Sequence, residues 1–245
     1  MPANLHLFGL VHMIILAAVP LLAVLLAALQ GKLKPGSRGP RLVLAFLLLL
    51  CTVLYYGNFA IHGQPMFPTH LPLELCDASL WLAIVSVLTL NSAAFDLAYY
   101  FGAAGASMAL LTPNMSEPSL FLSVQFFADH GLIVVAVLYL IWSGQARPRP
   151  GSVARAMLGL NIFAAVAGIF DFLFKTDYMF LRAKPVTVSA LDLLGPWPWY
   201  LVACEGVAWV FFALLYLPFR QAKAVTAWPM GQASREVYPS QREDA

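Results

Sequence analysis

Charged side chains are scarce in this sequence. Asp, Glu, Lys and Arg together make up 11% of the 245 residues, whereas hydrophobic residues make up 61%. A soluble domain carries about 25% charged residues, so this chain has too few to cover a surface that faces water. The net charge of +2 comes without a basic stripe, which argues against nucleic acid as a partner.

Cysteine is also scarce. The three cysteines, Cys51, Cys76 and Cys204, lie in separate apolar segments, and the sequence contains no CxxC pair. This spacing argues against a disulfide framework and against a zinc site, so we expect neither a metal nor a cofactor. A cleavable signal peptide is not expected either, because no basic residue precedes the first apolar run, which is too long for a signal sequence.

Long apolar runs make up most of the chain. A helix that crosses about 30 Å of hydrocarbon needs roughly 20 apolar residues, and glycine, proline and basic residues separate several runs of that length. The sequence therefore predicts an all-α polytopic membrane helix bundle of about seven transmembrane helices. We place them at residues 5–29, 41–61, 71–90, 93–111, 119–142, 153–174 and 199–217. We expect one transmembrane domain over residues 1–220 and a short disordered cytoplasmic tail over residues 221–245.

The basic residues indicate how the bundle is oriented. With seven spans, most Lys and Arg residues fall on the side that carries the first loop, the fifth-to-sixth loop and the C-terminal tail. The positive-inside rule places that side in the cytoplasm. We therefore predict a multi-pass protein of the cell membrane, with the N-terminus outside and the C-terminus in the cytoplasm.

Ionisable side chains within the predicted spans indicate a functional site. Each costs at least about 2.5–3.5 kcal/mol near the bilayer centre. A rise of 1.5 Å per residue places such groups from five helices in the outer half of the bilayer, which predicts a shared polar cavity. The candidate cavity residues are Glu74, His12, His70, Asn114, Asp171, Tyr178, Lys184 and Glu205. A structural role is the alternative for Asp96, His6, His62 and Asp171, which lie close to the interfaces.

Some of these residue types can carry chemistry. Cys76 is a candidate nucleophile, because a thiol beside a base becomes strongly nucleophilic, and His130 is the natural base. A carboxylate could hold the imidazole in the correct tautomer. The candidates for that role are Asp129, Asp77, Glu205 and Glu74. The alternative for each cysteine is a small packing residue.

Five segments carry a family resemblance. Leu71-Pro72-Leu73-Glu74-Leu75-Cys76-Asp77, Thr112-Pro113-Asn114, Asp129-His130-Gly131, Asp177-Tyr178-Met179-Phe180-Leu181 with Lys184-Pro185, and Pro196-Trp197-Pro198-Trp199-Tyr200 follow one another along the chain. In this order they resemble the YwaF-type bacterial integral membrane proteins over roughly residues 50–215. Two positions depart from that pattern, since Glu74 stands where histidine is expected and Asp177 where asparagine is expected.

The resemblance implies an activity. The YwaF-type proteins are distantly similar to the eukaryotic transmembrane ether-phospholipid acyltransferase and to the androgen-induced fatty-acid-ester hydrolases. By motif position, Cys76 matches the nucleophile of these relatives and His130 their histidine. This implies an intramembrane acyltransferase or ester hydrolase acting on a membrane lipid or acyl substrate, with Asp77 or Asp129 orienting His130. The alternatives are a proton-coupled transporter or channel, and a non-catalytic protein that binds lipid or a partner.

Overall fold

A computed structural model of the protein describes residues 7–34, 36–113, 119–185 and 189–220. Within these residues the chain is helical and forms no β-strand, which confirms the all-α prediction. Six helices are long and apolar enough to cross a membrane, and a seventh apolar helix is shorter. They are α1 (Leu10–Lys32), α2 (Gly39–Ile61), α3 (Leu75–Thr89), α4 (Ser92–Leu111), α5 (Leu120–Trp142), α6 (Ser152–Phe174) and α7 (Trp199–Tyr216). The predicted tail over residues 221–245 lies outside the described residues.

Helix α5 lies at the centre of the bundle, where it contacts α1, α2, α3 and α4. Residues 133–137 of α5 are all buried, as expected for a helix that is surrounded on every side. Helices α6 and α7 lie at the periphery, because α6 packs on α4 and α7 packs on α6. They bury 17% and 11% of their apolar stretches, against 56% for α4 and α5. Of the candidate residues on α5, His130 is buried and Asp129 is partly exposed.

Contacts between helix ends show that successive helices run in opposite directions. His12 near the start of α1 is hydrogen-bonded to Leu110 near the end of α4. At the opposite end of the bundle, Tyr139 near the end of α5 donates a hydrogen bond to Gln30 of α1. We call the end with Tyr139 the basic end, since the two most basic loops meet there. The end with His12 is the capped end, because residues 171–185 fold over it.

An ion-pair cluster holds the basic end together. Asp96 in the first turns of α4 is buried, and its Oδ2 atom lies 2.7 Å from Nη2 of Arg149 and 2.9 Å from Nη2 of Arg155. The backbone N–H of Arg149 donates to the other carboxylate oxygen at 3.1 Å. Asp96 thus ties α4 to the loop between α5 and α6. A structural role was the alternative given for Asp96 from the sequence, and these contacts support it.

Helix α3 is shorter than predicted. The sequence predicted a span over residues 71–90, but the helix begins at Leu75 and ends at Thr89. Glu74 accounts for the late start, because its backbone is extended and it forms a capping box with Asp77, which fixes the first helical residue at Leu75. The 15 residues of α3 extend for about 22 Å, less than the roughly 30 Å of hydrocarbon. Alone, α3 is therefore too short to cross the hydrocarbon, and the irregular backbone before Leu75 precedes it at the capped end.

Close packing distinguishes α4. Residues Phe101–Ala106 form a π-helical segment in its middle, a feature that often marks functional sites in helices. A Cβ atom on Gly102 would lie 2.9 Å from Cγ2 of Ile133 and 3.3 Å from Cγ2 of Val137. Only glycine fits at this distance, so α4 and α5 approach each other closely here. The run of small residues at Gly102–Ala106 permits this approach.

Candidate functional site

Cys76 is the second residue of α3 and lies on its buried face. Leu80, Ala83 and Val87 follow on the same face, and all three are buried. Cys76 is partly exposed as a residue, whereas Cys51 is buried. Cys76 therefore lies on the inward face of the first turn of α3, at the capped end of the bundle.

The first turn of α3 surrounds Cys76 with polar backbone. The N–H of Glu74 donates to Oδ2 of Asp77 at 3.1 Å and stabilises the start of the helix. The N–H of Asp77 donates to the carbonyl oxygen of Glu74 at 3.1 Å. The first N–H groups of a helix have no acceptor within it, and among the described residues we find no acceptor for those of Leu75 and Cys76. The positive end of the helix thus lies at the thiol.

Acidic and phenolic groups from other helices lie near Cys76. Asp129 of α5 is close enough to interact electrostatically with both Cys76 and Asp77. Tyr55 and Tyr56 of α2 likewise interact with Cys76 and Asp77. One oxygen of Asp129, Oδ1, is buried and has no hydrogen-bond partner among the described residues. Three helices therefore contribute polar groups to one small region, which we call the Cys76 cluster: Tyr55, Tyr56, Glu74, Cys76, Asp77 and Asp129.

His130 follows Asp129 on α5 and is buried. Its Nδ1 atom lies 2.8 Å from the carbonyl oxygen of Phe126, and its ring packs on the Phe126 ring at 4.2 Å. A carbonyl can only accept, so Nδ1 carries the hydrogen, and in the neutral ring Nε2 keeps its lone pair. The backbone of α5 thus holds the imidazole in the tautomer that a base requires.

This arrangement differs from the predicted one in its orienting group. The sequence suggested that Asp77, Asp129, Glu74 or Glu205 would hold the His130 imidazole. Within the described part of the chain none of these carboxylates is hydrogen-bonded to the ring, because Phe126 already occupies Nδ1. Helices α3 and α5 are neighbours, yet no hydrogen bond joins Cys76 to His130 in the same residues. The pairing of Cys76 with His130 therefore stays a prediction.

Residues 171–185 form the cap over this end of the bundle. Asp171 is fully buried at the end of α6, and its Oδ1 atom accepts hydrogen bonds from the Thr176 hydroxyl at 2.7 Å and the Tyr178 N–H at 2.9 Å. The Tyr178 hydroxyl donates to the Pro68 carbonyl at 2.7 Å and accepts from the Leu71 N–H at 2.8 Å. Burial raises the pKa of the Tyr178 phenol, which keeps this donor protonated. Asp171 and Tyr178 thus fasten the cap to the segment before α3.

The cap also reaches the Cys76 cluster and α7. The N–H of Met179 donates to Oε2 of Glu74 at 3.0 Å. Lys184 lies with its Nζ atom 3.8 Å from Oδ1 of Asp192 and 5.5 Å from the centre of the Tyr200 ring. The Tyr200 hydroxyl donates to the carbonyl of Phe180. Glu74 is therefore shared between the cap and the cluster, whereas Lys184 holds the cap to the region around α7.

Three other candidates lie apart from the cluster. His12 accepts the Phe8 N–H at Nδ1 (3.0 Å), so its Nε2–H donates to the Leu110 carbonyl at 2.8 Å. The His70 ring stacks on Phe59 with 4.1 Å between ring centres. Oε1 of Glu205 accepts a hydrogen bond from Asn161 on α6 at 2.9 Å. These contacts tie elements together, and two predicted residues, His6 and Asn114, lie outside the described residues.

Tyr55 and Tyr56 are the members of the cluster that the sequence did not indicate. Their side chains come from α2 and are partly exposed beside Cys76 and Asp77. The available signal was a pair of tyrosines in the last two turns of an otherwise apolar span, where a phenol needs a polar neighbour. Tyrosines are common at membrane interfaces, and for that reason the signal did not stand out.

These features define a class of protein. Within the part of the chain that the structure describes, seven apolar helices form a bundle with a polar cluster at one end, which is typical of a polytopic α-helical membrane protein with an internal site. A family model for the TMEM164 family matches residues 7–216, and the chain belongs to this family. The match covers every helix of the bundle. No curated protein and no solved structure matches the chain.

Proposed function

We propose that this protein is an intramembrane acyl-transfer enzyme acting on a membrane lipid, with Cys76 as the nucleophile and His130 as the base. One observation carries the proposal above all. Cys76 is partly exposed in the first turn of a helix that is too short to cross the hydrocarbon alone, and the neighbouring helix α5 carries a histidine whose Nδ1 is held by the Phe126 carbonyl, which leaves Nε2 to act as the base. A thiol, a base and a helix N-terminus are the parts that covalent acyl transfer requires.

The first half of the reaction forms a thioester. Nε2 of His130 removes the thiol proton, and the sulfur of Cys76 attacks the ester carbonyl of the lipid. The S–C bond forms as the C–O bond of the ester breaks, and the imidazolium returns the proton to the leaving alkoxide. The N–H groups of Leu75 and Cys76 would stabilise the oxyanion, because they lack other acceptors and lie at the positive end of α3.

The second half releases the acyl group. Nε2 takes the proton of an acceptor hydroxyl, whose oxygen attacks the thioester carbon, and the departing thiolate recovers that proton. A lipid alcohol as acceptor makes the protein a transferase, and water makes it a hydrolase. The cap and the surrounding helices exclude water, which favours transfer. No cofactor takes part in this scheme.

The two carboxylates have different roles in this proposal. Asp77 fixes the first turn of α3 through its bond to the Glu74 N–H, so it positions Cys76. Asp129 lies next to His130 in sequence and has an unpaired buried oxygen, so its negative charge would stabilise the imidazolium that forms during the reaction. Tyr178, Asp171 and Lys184 support the cap over the site.

The orientation is also part of the proposal. The basic end faces the cytoplasm under the positive-inside rule, so the capped end and the Cys76 cluster face the outside of the cell membrane. The substrate is then a lipid of the outer leaflet, which enters sideways between helices.

A proton-coupled transporter is the second candidate. It is favoured by Asp129, whose unpaired oxygen lies in electrostatic range of Asp77, because buried carboxylates serve in proton relays. In a transporter, Asp129→Asn abolishes function and Cys76→Ala has little effect. In the enzyme, Cys76→Ala abolishes function and Asp129→Asn only slows it.

The test is an acyl-transfer assay on purified protein in nanodiscs that contain a phospholipid with an isotope-labelled acyl chain. We expect Cys76→Ala to abolish label transfer and His130→Ala to reduce it by roughly 10²–10⁴-fold. The matched control is Cys51→Ala, which removes a buried cysteine of the same bundle and should retain activity. Full activity of Cys76→Ala would exclude the covalent mechanism.

A further inference from the structure

Asn161 and Glu205 form a polar pair away from the ends of two helices that are long enough to span a membrane. Asn161 is the tenth of the 23 residues of α6, about 14 Å from one end of the helix and 20 Å from the other. Its side chain is exposed, and that of Glu205 is partly exposed. Polar side chains at this depth almost always face the interior of a bundle or a water-filled cavity. Here they lie on the outer surface of the two peripheral helices.

The pair has hydrogen-bonding capacity left over. Both amide hydrogens of Asn161 are engaged, since Nδ2 donates to the Met157 carbonyl and to Oε1 of Glu205, each at 2.9 Å. Oδ1 of Asn161 and Oε2 of Glu205 remain as acceptors without a donor among the described residues. Hydrocarbon offers no donor, so these atoms lack a partner in lipid.

An unused donor lies one turn away. Trp209 follows Glu205 by four residues, which places it on the same face of α7. Its side chain is 44% exposed, it lies about 15 Å along a helix that begins at Trp199, and its indole N–H has no hydrogen-bond acceptor in the described part of the chain. Tryptophan on a membrane surface usually lies at the interface, so a Trp at this depth indicates a surface that protein covers.

We propose that the α6–α7 seam, defined as Asn161, Ala165, Val202, Glu205 and Trp209, binds a second copy of this chain. In a two-fold arrangement the same patch meets itself. The Trp209 N–H of one copy then donates to the free oxygen of Glu205 or Asn161 of the other, and the reverse bond forms as well. Each copy supplies the group that the other lacks.

The surroundings of the pair fit this occupant. Ala165 lies one turn from Asn161 and leaves room for a second helix, and small residues are typical of helix interfaces in membranes. Val202 is 65% exposed beside Glu205 and would pack against the same residue of the partner copy. A lipid chain could cover Val202, but it would leave the polar atoms unpaired. This inference does not depend on the proposed chemistry.

The experiment measures association in lipid vesicles by subunit-exchange fluorescence transfer over a range of protein-to-lipid ratios. We expect wild type to be dimeric. Glu205→Leu and Trp209→Phe should each weaken dimerisation by about tenfold or more, since each removes two symmetric bonds. Glu205→Gln keeps an acceptor oxygen and should stay dimeric. The matched control is Trp81→Phe, because Trp81 is equally exposed, at 44%, on α3.

A second measurement covers the case in which a variant fails to fold. In a background with Cys51, Cys76 and Cys204 replaced by alanine, Ala165→Cys should form intermolecular cross-links with a thiol-reactive linker, whereas Val43→Cys on the exposed face of α2 should not. A monomeric wild type at every ratio would overturn the proposal. So would cross-linking through Val43→Cys alone, or equal dimerisation of wild type and Glu205→Leu.

Discussion

At the scale of single residues, two histidines show how hydrogen bonds assign a role. His12 uses both ring nitrogens, one as an acceptor of the Phe8 N–H and one as a donor to Leu110. His130 uses only one ring nitrogen, Nδ1, which donates to the carbonyl oxygen of Phe126. Both were candidates in the sequence, where the residue type and the depth are visible. The partners of each ring are not visible there, because they come from the backbone.

The first prediction follows from this difference. His12→Phe should lower the free energy of unfolding by about 1–3 kcal/mol, because it leaves the Leu110 carbonyl without its donor in a buried position. His130→Phe should change stability less. The carbonyl oxygen of Phe126 loses the ring N–H, but it still accepts the backbone N–H of residue 130 within the helix. Thermal unfolding of both variants in the same detergent checks this. A larger loss for His130→Phe would contradict the assignment of His12 as the structural tie.

At the scale of elements, α3 and α4 depart from regular helices. The prolines before residue 75 were visible in the sequence, and they predicted a break before the third span. The position of the break was not predicted, because the capping box between Glu74 and Asp77 decides where α3 begins. The run of small residues in α4 is compatible with close packing, but nothing in its sequence distinguishes an α-helical from a π-helical turn.

The second prediction concerns the close approach of α4 and α5. Gly102→Val should destabilise the protein by about 1–3 kcal/mol, because the new side chain would overlap Ile133 and Val137. Gly57→Val is the matched control, since a Cβ at Gly57 meets nothing within 4 Å. Thermal shift measurements on the two variants compare them. Equal melting temperatures would show that α4 can move away from α5 at little cost.

At the scale of the whole molecule, composition alone identified a membrane bundle, and the helix count followed from the breakers. The predicted cavity was broader than the Cys76 cluster. Asp171, Tyr178 and Lys184 hold the cap, His12 and His70 tie helix ends, and Glu205 pairs with Asn161. Depth along a helix can be read from a sequence, but which helices are neighbours cannot. For that reason the predicted cavity included residues that lie at a similar depth but in different parts of the bundle.

The third prediction concerns orientation. A reporter fused after Arg220 should be active only in a form that works in the cytoplasm, because the basic end lies on that side under the positive-inside rule. Parallel fusions of a cytoplasmic and a periplasmic reporter provide the comparison. Activity of the periplasmic reporter at this position would reverse the orientation and place the Cys76 cluster in the inner leaflet.

The central claim is that Cys76 carries the acyl group during the reaction, and mass spectrometry of the acid-quenched and digested protein tests it most directly. The protein is incubated in nanodiscs with a phospholipid that has a labelled acyl chain, and the reaction is stopped with acid. We predict a mass increase of one acyl group on the peptide that contains Cys76, removable by neutral hydroxylamine, present in Cys51→Ala and absent in Cys76→Ala. Acyl transfer that continues in Cys76→Ala, or a label found on another residue, would contradict the account.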